Sequence, residues 1–462
     1  MTLEEAISTT GNLWIETDNL KGVRFGNFVT LPKYADLEDE VAVKVCQMVQ
    51  QSKPWATEST ARRYIADYEA ETGHKLHSHQ ADAVVMIAKN DLSVLTGGPG
   101  TGKTTTVACA AYVLRKIRDC RLVFAAPTGK AARRIGEQTG ERASTLHHML
   151  GLGYKNTMPK DVDADVLFID ESSMNDIDLT AALFRTSLVG KKLVWIGDVD
   201  QIPSVGPGAV LRDFIRSGVV PTTMLTKTFR QGDGSLLLKN IKESREGSCR
   251  FGVKADESYE VRLKNDAPWE DIDKQIVDIY FQEAKKYGMD NVAVLLPYRK
   301  AQYCSDRVNK IIQDRANKRK GAQIGEKLTL KEGDPVMQLV NRPECVNGEV
   351  GKVKAITPDT VVVEFTDTTV TYNMKAAEEQ LTLAYAMSIT KSQGSEYKSV
   401  ILVLLNCHEN ALNRNILYTG MSRAKEKLTI VYQQSGLITA VNATASERKT
   451  FLAEKIKAVA GL

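Results

Sequence analysis

The sequence predicts an α/β protein of two parallel-sheet units, the second interrupted by a small antiparallel β-barrel and the first preceded by a small N-terminal helical region. Three observations carry this expectation. Short apolar runs that end in polar loops recur between amphipathic helix-length stretches, both before and after residue 236, which is the pattern of strands buried in a parallel sheet. One such run, from Ser93, feeds directly into Gly97-x-x-x-x-Gly102-Lys103-Thr104, a strand, a glycine-rich turn and a helix start. Between residues 332 and 373 the pattern changes to alternating β-branched strands joined by Asn-Gly and Thr-Asp turns, which is an antiparallel signature.

The totals set bounds on these units. A chain of 462 residues with 43% hydrophobic content has room for about three domains, each with its own core. The 61 basic and 57 acidic residues leave a net charge of +4, so affinity for nucleic acid has to come from local clustering rather than a global field. Seven cysteines without a Cys-x-x-Cys pair argue against a disulfide framework or a zinc module and fit reduced thiols in the cytoplasm. The amino terminus lacks the basic and apolar segments of a signal peptide, and no apolar run approaches the roughly 18 residues of a membrane span, so no membrane partner is expected.

Residues 1–75 carry no nucleotide motif and read as an accessory region, with helices expected near Val41–Val49 and Ala61–Tyr68. The first sheet unit is expected over 76–235. Gln80 opens its first amphipathic helix, and a glutamine amide offers one donor and one acceptor to an adenine edge. The phosphate loop follows. Its glycines let backbone N–H groups turn inward around a triphosphate, the helix from Lys103 aims its positive end at the phosphates, Lys103 reaches the β- and γ-phosphates, and Thr104 ligates Mg²⁺. A nucleoside triphosphate and Mg²⁺ are thus the expected ligands, with Gly98, Pro99, Gly100, Thr101, Gly102 and Thr105 completing the cradle.

Next comes a strand from Arg121 that ends in Pro127-Thr128-Gly129-Lys130 and a basic helix. Ser144 or Thr145 suits the cap of a short helix. The adjacent His147 and His148 point to different sides of that helix and lack a companion ligand, which speaks against a metal pair. A turn-rich insertion occupies 151–163. The strand Val166–Ile169 then ends in Asp170-Glu171, the expected complement of the phosphate loop: Asp170 to hold Mg²⁺, Glu171 to orient and deprotonate the attacking water. The strand before Gly197-Asp198 leads to Gln201, placed to sense the γ-phosphate, and Arg230 follows where the unit ends.

The second unit is expected to start within 236–331, as a polar, mostly helical connection and then the strand from Asn291. It is interrupted by the barrel over 332–375 and resumes over 376–440, with Arg423 as a second cation for the γ-phosphate. Residues 441–462 are expected to hold a terminal amphipathic helix, over 444–460, with a basic, solvated outer face.

Taken together and in this order, Gly-Gly-Pro-Gly-Thr-Gly-Lys-Thr (97–104), Ala-Ala-Pro-Thr-Gly-Lys-Ala-Ala (125–132), Ser-Thr-Leu-His-His-Met-Leu (144–150), Ile-Asp-Glu-Ser-Ser-Met (169–174), Gly-Asp-Val-Asp-Gln-Ile-Pro-Ser-Val-Gly-Pro-Gly (197–208), Phe-Arg-Gln (229–231), Thr-Lys-Ser-Gln-Gly-Ser-Glu (390–396) and Tyr-Thr-Gly-Met-Ser-Arg-Ala (418–424), with Gln80 ahead of them, resemble the RecD-like branch of superfamily 1 helicases. The resemblance spans about residues 76–435. It implies two RecA-like motor domains with ATP between them, an SH3-like barrel in the second, and 5′ to 3′ movement along single-stranded DNA. It assigns Gln80 to adenine, Lys103 and Thr104 to phosphate and Mg²⁺, Asp170 to the metal, Glu171 to water, and Gln201, Arg230 and Arg423 to the γ-phosphate. It also assigns Pro127, Thr128, Lys130, Thr145, His147, Thr390, Lys391 and Ser392 to the strand channel.

The implied partners are single-stranded DNA and junctions of single- and double-stranded DNA, with a single-strand-binding protein, nuclease or replisome component as protein partners. The implied location is the cytoplasm, or a host cytoplasm for a phage-encoded enzyme. Two departures stand out: only about 75 residues precede Gln80, fewer than in the family's larger members, and the 151–163 insertion, which sits where relatives carry a strand-separating hairpin, is short and weakly patterned. An RNA-directed helicase and an ATP-driven motor subunit with little unwinding of its own are the alternatives. A phosphate-loop kinase or GTPase leaves 197–208 and 390–424 unexplained.

Overall fold

Two parallel sheets organise the chain, and each is buried on both faces by helices. In the computed structural model, residues 23–25, 28–152, 158–229, 235–249, 257–300, 302–326, 328–342, 344–366, 368–445 and 447–462 are described. The first sheet runs Ala143–Thr145, Leu122–Ala126, Val166–Ile169, Lys192–Gly197, Leu92–Gly97, Thr222–Leu225, every neighbouring pair parallel. Successive side chains of a strand face opposite ways. Leu92, Val94, Leu167, Ile169, Leu193 and Trp195 therefore enter one apolar layer, and Leu95, Val166, Phe168, Val194 and Ile196 the other.

The helices of residues 1–75 are elements of these layers. Val41 and Val45 on the helix Pro32–Gln50 pack in the first layer, and Ala61 and Ile65 on Glu58–Thr72 in the second. What the sequence presents as a separate accessory region is continuous with the first unit. A helical stripe states that it must be covered but not by what, so this was beyond the pattern of residues 1–75 to tell.

The second sheet runs Ala386–Ser388, Val292–Leu296, Tyr397–Leu404, Ala424–Tyr432, Ser258–Arg262, again all parallel. Ser258–Arg262 falls in the stretch expected to be a mostly helical connection. It is an edge strand with one neighbour, and Glu260 and Arg262 break up the apolar run that marks a buried strand.

The inserted sheet is antiparallel, in the order Thr369–Asn373, Thr360–Glu364, Val350–Ile356, Pro335–Gln338, Leu381–Leu383. Its last strand lies outside the expected 332–375 boundary. Leu381–Leu383 has three residues, too few to show an alternation, and its place is fixed by pairing with Pro335–Gln338 across the intervening helix Met374–Gln380.

The carboxy terminus departs most from expectation. The helix starts at Leu452 rather than 444, and it leaves the second unit to pack between Pro32–Gln50 and Val210–Ser217 of the first. Lys455, expected on a solvated face, is buried; its ammonium donates to the Ala35 carbonyl at 2.7 Å and pairs with Asp39 at 2.9 Å. No helix among the described residues is long and apolar enough to cross a membrane, and the seven cysteines are unpaired.

Candidate nucleotide cleft and strand channel

A parallel strand delivers its next loop to the carboxyl edge of the sheet, where open α/β sheets hold ligands. Leu92–Gly97 delivers the phosphate loop, Val166–Ile169 delivers Asp170 and Glu171, and Lys192–Gly197, between these two in the sheet, delivers Asp198. The helix Lys103–Ile117 starts directly behind the loop, at Gly102 with φ +80°. The positive φ demands glycine there, and a β-carbon on Gly102 would also come within 2.2 Å of the Gln80 amide nitrogen at the end of its side chain, which would have to move.

The Lys103 ammonium donates to the carbonyls of Gly97 at 2.6 Å and Gly98 at 2.9 Å, which places the cation inside the curl of the loop. Thr104 donates its hydroxyl to Gln138, and Thr101 donates to the Gly98 carbonyl. Gln80 accepts from the His77 backbone, closing a capping box, while its amide nitrogen donates to the Thr101 and Gly102 carbonyls. The residue expected at the adenine thus also splints the phosphate loop.

Asp170 and Glu171 face Lys103 across a cleft of about 550 Å³ lined by Pro99 to Thr105, Arg134, Gln138, Gln201, Phe229, Glu396, Ser422 and Arg423. Burial, and then the Glu171 carboxylate, push the Asp170 pKa up to about 6. That is the state of a carboxylate short of a counter-charge. Together with the Thr104 hydroxyl it fits a divalent cation whose remaining ligands are water and phosphate oxygens. Glu171 has φ +49°, the left-handed region, and is the one non-glycine residue with positive φ among those described. Such a conformation costs of order 1–3 kcal/mol and concentrates at working sites.

The far wall belongs to the second lobe. Arg423 is 3% exposed, and its guanidinium donates to the Thr419 carbonyl at 3.1 Å, the Ser395 carbonyl at 3.3 Å and the Ser422 hydroxyl at 2.9 Å. Phosphate-loop, Asp-Glu and Arg423 side chains therefore share one cleft. Arg230 lies outside the described residues.

Several partners were missed from the sequence. Arg134 pairs with Glu396 of the other lobe at 3.1 Å, and Glu396 also pairs with Lys425 at 3.0 Å. Burial works against the Arg134 guanidinium, but Glu396, Glu171 and Asp170 together raise its pKa. Asp198 accepts a 2.6 Å hydrogen bond from the Tyr418 hydroxyl across the lobes, and burial raises its pKa. The one available signal was that Asp198 ends a strand just as Asp170 does. Tyr418→Phe would leave a buried carboxylate one donor short, a loss of about 1–3 kcal/mol, and thermal unfolding should read this as a lower midpoint.

Gln201 is 6% exposed, and its amide donates only a long, 3.5 Å bond to Asp198. The second lobe grips the backbone around it instead: Thr419 accepts from the Ile202 N–H, Gln393 donates to the Ile202 carbonyl, and Asn415 donates to the Asp200 carbonyl.

The residues expected along the strand channel split into two groups. Ala126 and Thr145 are paired across neighbouring strands, so Pro127-Thr128 and Thr145 leave the sheet side by side. Thr128 caps the helix Gly129–Thr139 and Thr145 caps Leu146–Met149; His147 is exposed. Lys130 reaches the second lobe at the Tyr397 hydroxyl, 3.5 Å away. Thr390 and Lys391 follow the strand Ala386–Ser388, and Lys391 donates to Asn347 in the turn of the inserted sheet at 2.7 Å. Ser392 departs from expectation: it is fully buried and donates its hydroxyl to the Ile389 carbonyl, because the turn that carries Thr390 outward carries Ser392 inward. Residues 153–157, the middle of the 151–163 insertion, lie outside the described residues.

The model of the AAA domain family matches residues 80–207, and that of the UvrD-like helicase C-terminal domain matches 383–431. An ATP-dependent RecD2 DNA helicase of Deinococcus radiodurans is 31% identical over 410 residues, covering 87% of this chain. The chain spans 54% of that relative's length. RecBCD enzyme subunit RecD of Mycolicibacterium smegmatis is 28% identical, covering 94% of this chain and 83% of its own, and that of Haemophilus influenzae is 28% identical, covering 80% and 71%. Among solved structures, two coordinating Pif1 helicases at forked double-stranded DNA share the fold at 20% identity, with a TM-score of 0.50 and coverage of 77% of this chain and 92% of that one.

Proposed function

The chain belongs to the RecD-like branch of superfamily 1 helicases, and from that premise we propose that it hydrolyses ATP between two RecA-like lobes to move 5′ to 3′ along single-stranded DNA and unwind duplex. The observation that carries this reading is Arg423, which is anchored on the second lobe yet lines the same cleft as Lys103, Asp170 and Glu171 of the first. A triphosphate held there touches both lobes, so loss of its γ-phosphate changes what holds them together.

In this reading Gln80 meets the adenine, Gly98 to Gly102 and Thr105 wrap the phosphates, and Lys103 donates to the β- and γ-oxygens. Thr104 and Asp170 would hold Mg²⁺, which neutralises phosphate charge when bound. Glu171 orients the attacking water and takes its proton. Gln201, Arg230 and Arg423 contact the γ-phosphate, the arginines offsetting charge that develops as the bond breaks. Thr128, Lys130, Thr145, His147, Thr390 and Lys391 offer hydroxyl, cationic and helix-terminal donors to a nucleic-acid backbone. Binding should then be salt-sensitive and weakly sequence-selective. The inserted sheet takes the place of the family's SH3-like barrel.

Duplexes with a 5′ or a 3′ single-stranded tail test the proposal. ATP-dependent displacement from the 5′-tailed substrate alone is the expected result, and displacement from the 3′-tailed one overturns the polarity. Stimulation of hydrolysis by RNA but not DNA oligonucleotides would select the RNA-directed alternative, and DNA-stimulated hydrolysis without displacement the motor-subunit one.

A further inference from the structure

Gln201 is buried, and among the described residues its side-chain amide oxygen Oε1 has no hydrogen-bond partner. A side chain so weakly anchored is aimed by its backbone, so the loop that follows it becomes important. That loop, Pro203 to Gly208, is packed from one side against the helix that follows Asp170-Glu171: Ile177 donates its N–H to the Pro207 carbonyl at 2.9 Å. A β-carbon on Gly206 would stand 2.1 Å from the Asp176 carboxylate, so the approach is as close as backbone allows.

From the other side comes Arg448, in the extended segment that leads back from the second lobe to the helix Leu452–Ala460. One guanidinium nitrogen donates to the Gly206 carbonyl at 2.5 Å, the Gly208 carbonyl at 2.9 Å and the Ser204 hydroxyl at 3.1 Å, and the other donates to the Ser204 carbonyl. These acceptors are all neutral. Burial and the neighbouring Arg212 lower the Arg448 pKa. Arg212, on the helix Val210–Ser217, in turn donates to the Arg448 carbonyl at 2.8 Å and the Thr450 hydroxyl at 3.1 Å. The segment is moored beyond Arg448 as well, where Phe451 donates its N–H to Glu38 at 3.1 Å.

We propose that Arg448 is a positioning residue for ATP hydrolysis: it clamps the Ser204–Gly208 loop and thereby fixes the backbone that presents Gln201 to the γ-phosphate. The inference rests on the γ-phosphate role of Gln201. It makes the carboxy-terminal segment, which starts on the second lobe and is anchored on the first, part of the catalytic clockwork rather than a trailing helix. Because this clamp acts through Gln201, it should alter turnover and leave nucleotide affinity nearly untouched.

The chain carrying Arg448→Gln or Arg448→Lys tests this, with hydrolysis measured in the absence and presence of single-stranded DNA and affinity read with a fluorescent ATP analogue. Arg448→Gln should lower unstimulated kcat about tenfold or more, as displacement of a positioning group by about 1 Å does. The dissociation constant should stay within about twofold, since ground-state binding is not the interaction removed. Arg448→Lys keeps a cation that reaches part of the carbonyl cluster and should recover much of kcat. An unchanged kcat in Arg448→Gln overturns the proposal. So does an equal loss in both variants that tracks a fall in thermal unfolding temperature, which would make Arg448 a fold anchor. If single-stranded DNA fails to stimulate the unaltered protein, the helicase reading falls, while unstimulated kcat still decides the role of Arg448.

Discussion

Glu171→Gln should lower kcat for ATP hydrolysis by about 10²- to 10⁴-fold, the usual share of a general base, while nucleotide and single-strand binding persist. The substitution preserves shape and removes the proton acceptor together with its negative charge. Its left-handed backbone, at φ +49°, is imposed by the turn from the strand Val166–Ile169 into Ser172–Met174 and should survive the change. A second effect follows from the neighbouring carboxylate. Burial and the Glu171 charge hold the Asp170 pKa at about 6, against an ordinary value of 3.8. An acid raised on folding costs stability when ionised, and that cost fades as pH falls through about 6. Below that pH the protonated Asp170 is a poorer metal ligand, so the Mg²⁺ requirement of the unaltered protein should rise as pH drops from 7 to 5.5. Removing the Glu171 charge should shift this rise to lower pH. Single-turnover hydrolysis and a Mg²⁺ titration at several pH values measure both effects, and near-normal turnover in Glu171→Gln would remove Glu171 from the chemistry.

The parts of this site that were legible in the sequence are those fixed by local backbone. The phosphate loop, the Asp-Glu strand end and the Gln201 loop each follow a strand in a parallel sheet, so a run of apolar residues places their side chains at one edge without knowledge of anything distant. Thr145 as a helix cap was legible for the same reason. What escaped was whatever depends on which element meets which. Arg134 against Glu396, Tyr418 against Asp198 and Arg448 against Ser204–Gly208 join residues more than two hundred positions apart. No local pattern encodes those pairs. The helices of residues 32–72 read as a separate region because amphipathicity records an apolar face but not the sheet that covers it. The family resemblance assigns Ser392 to the channel together with Thr390 and Lys391, whereas the tight turn over Thr390–Ser392 sends its side chain the opposite way.

Arg423→Ala should reduce hydrolysis further than any other change on the second lobe, by about 10³- to 10⁵-fold if it neutralises charge at the γ-phosphate as an arginine finger does. Arg423 can serve this purpose because its guanidinium is already fixed: the Thr419 and Ser395 carbonyls and the Ser422 hydroxyl hold it at the wall of the cleft, so little ordering is left for the reaction. The same anchoring makes Lys a poor substitute. An ammonium carries the charge but lacks the planar fork that spans three acceptors while facing a fourth, so Arg423→Lys should stay well below the unaltered protein in kcat. Both variants keep the phosphate loop, Lys103 and Asp170, and ATP should still bind to the first lobe. The separation of binding from turnover is the informative result, because it assigns the grip to one lobe and the trigger to the other. Equilibrium binding of a fluorescent nucleotide, alongside single-turnover hydrolysis and strand displacement, measures it. Should Arg423→Ala hydrolyse ATP within a few-fold of normal yet fail to displace a strand, the arginine transmits closure of the lobes without touching the reacting phosphate. If hydrolysis and displacement both persist, the two lobes do not share one triphosphate, and conversion of bond cleavage into movement needs a different pair of contacts.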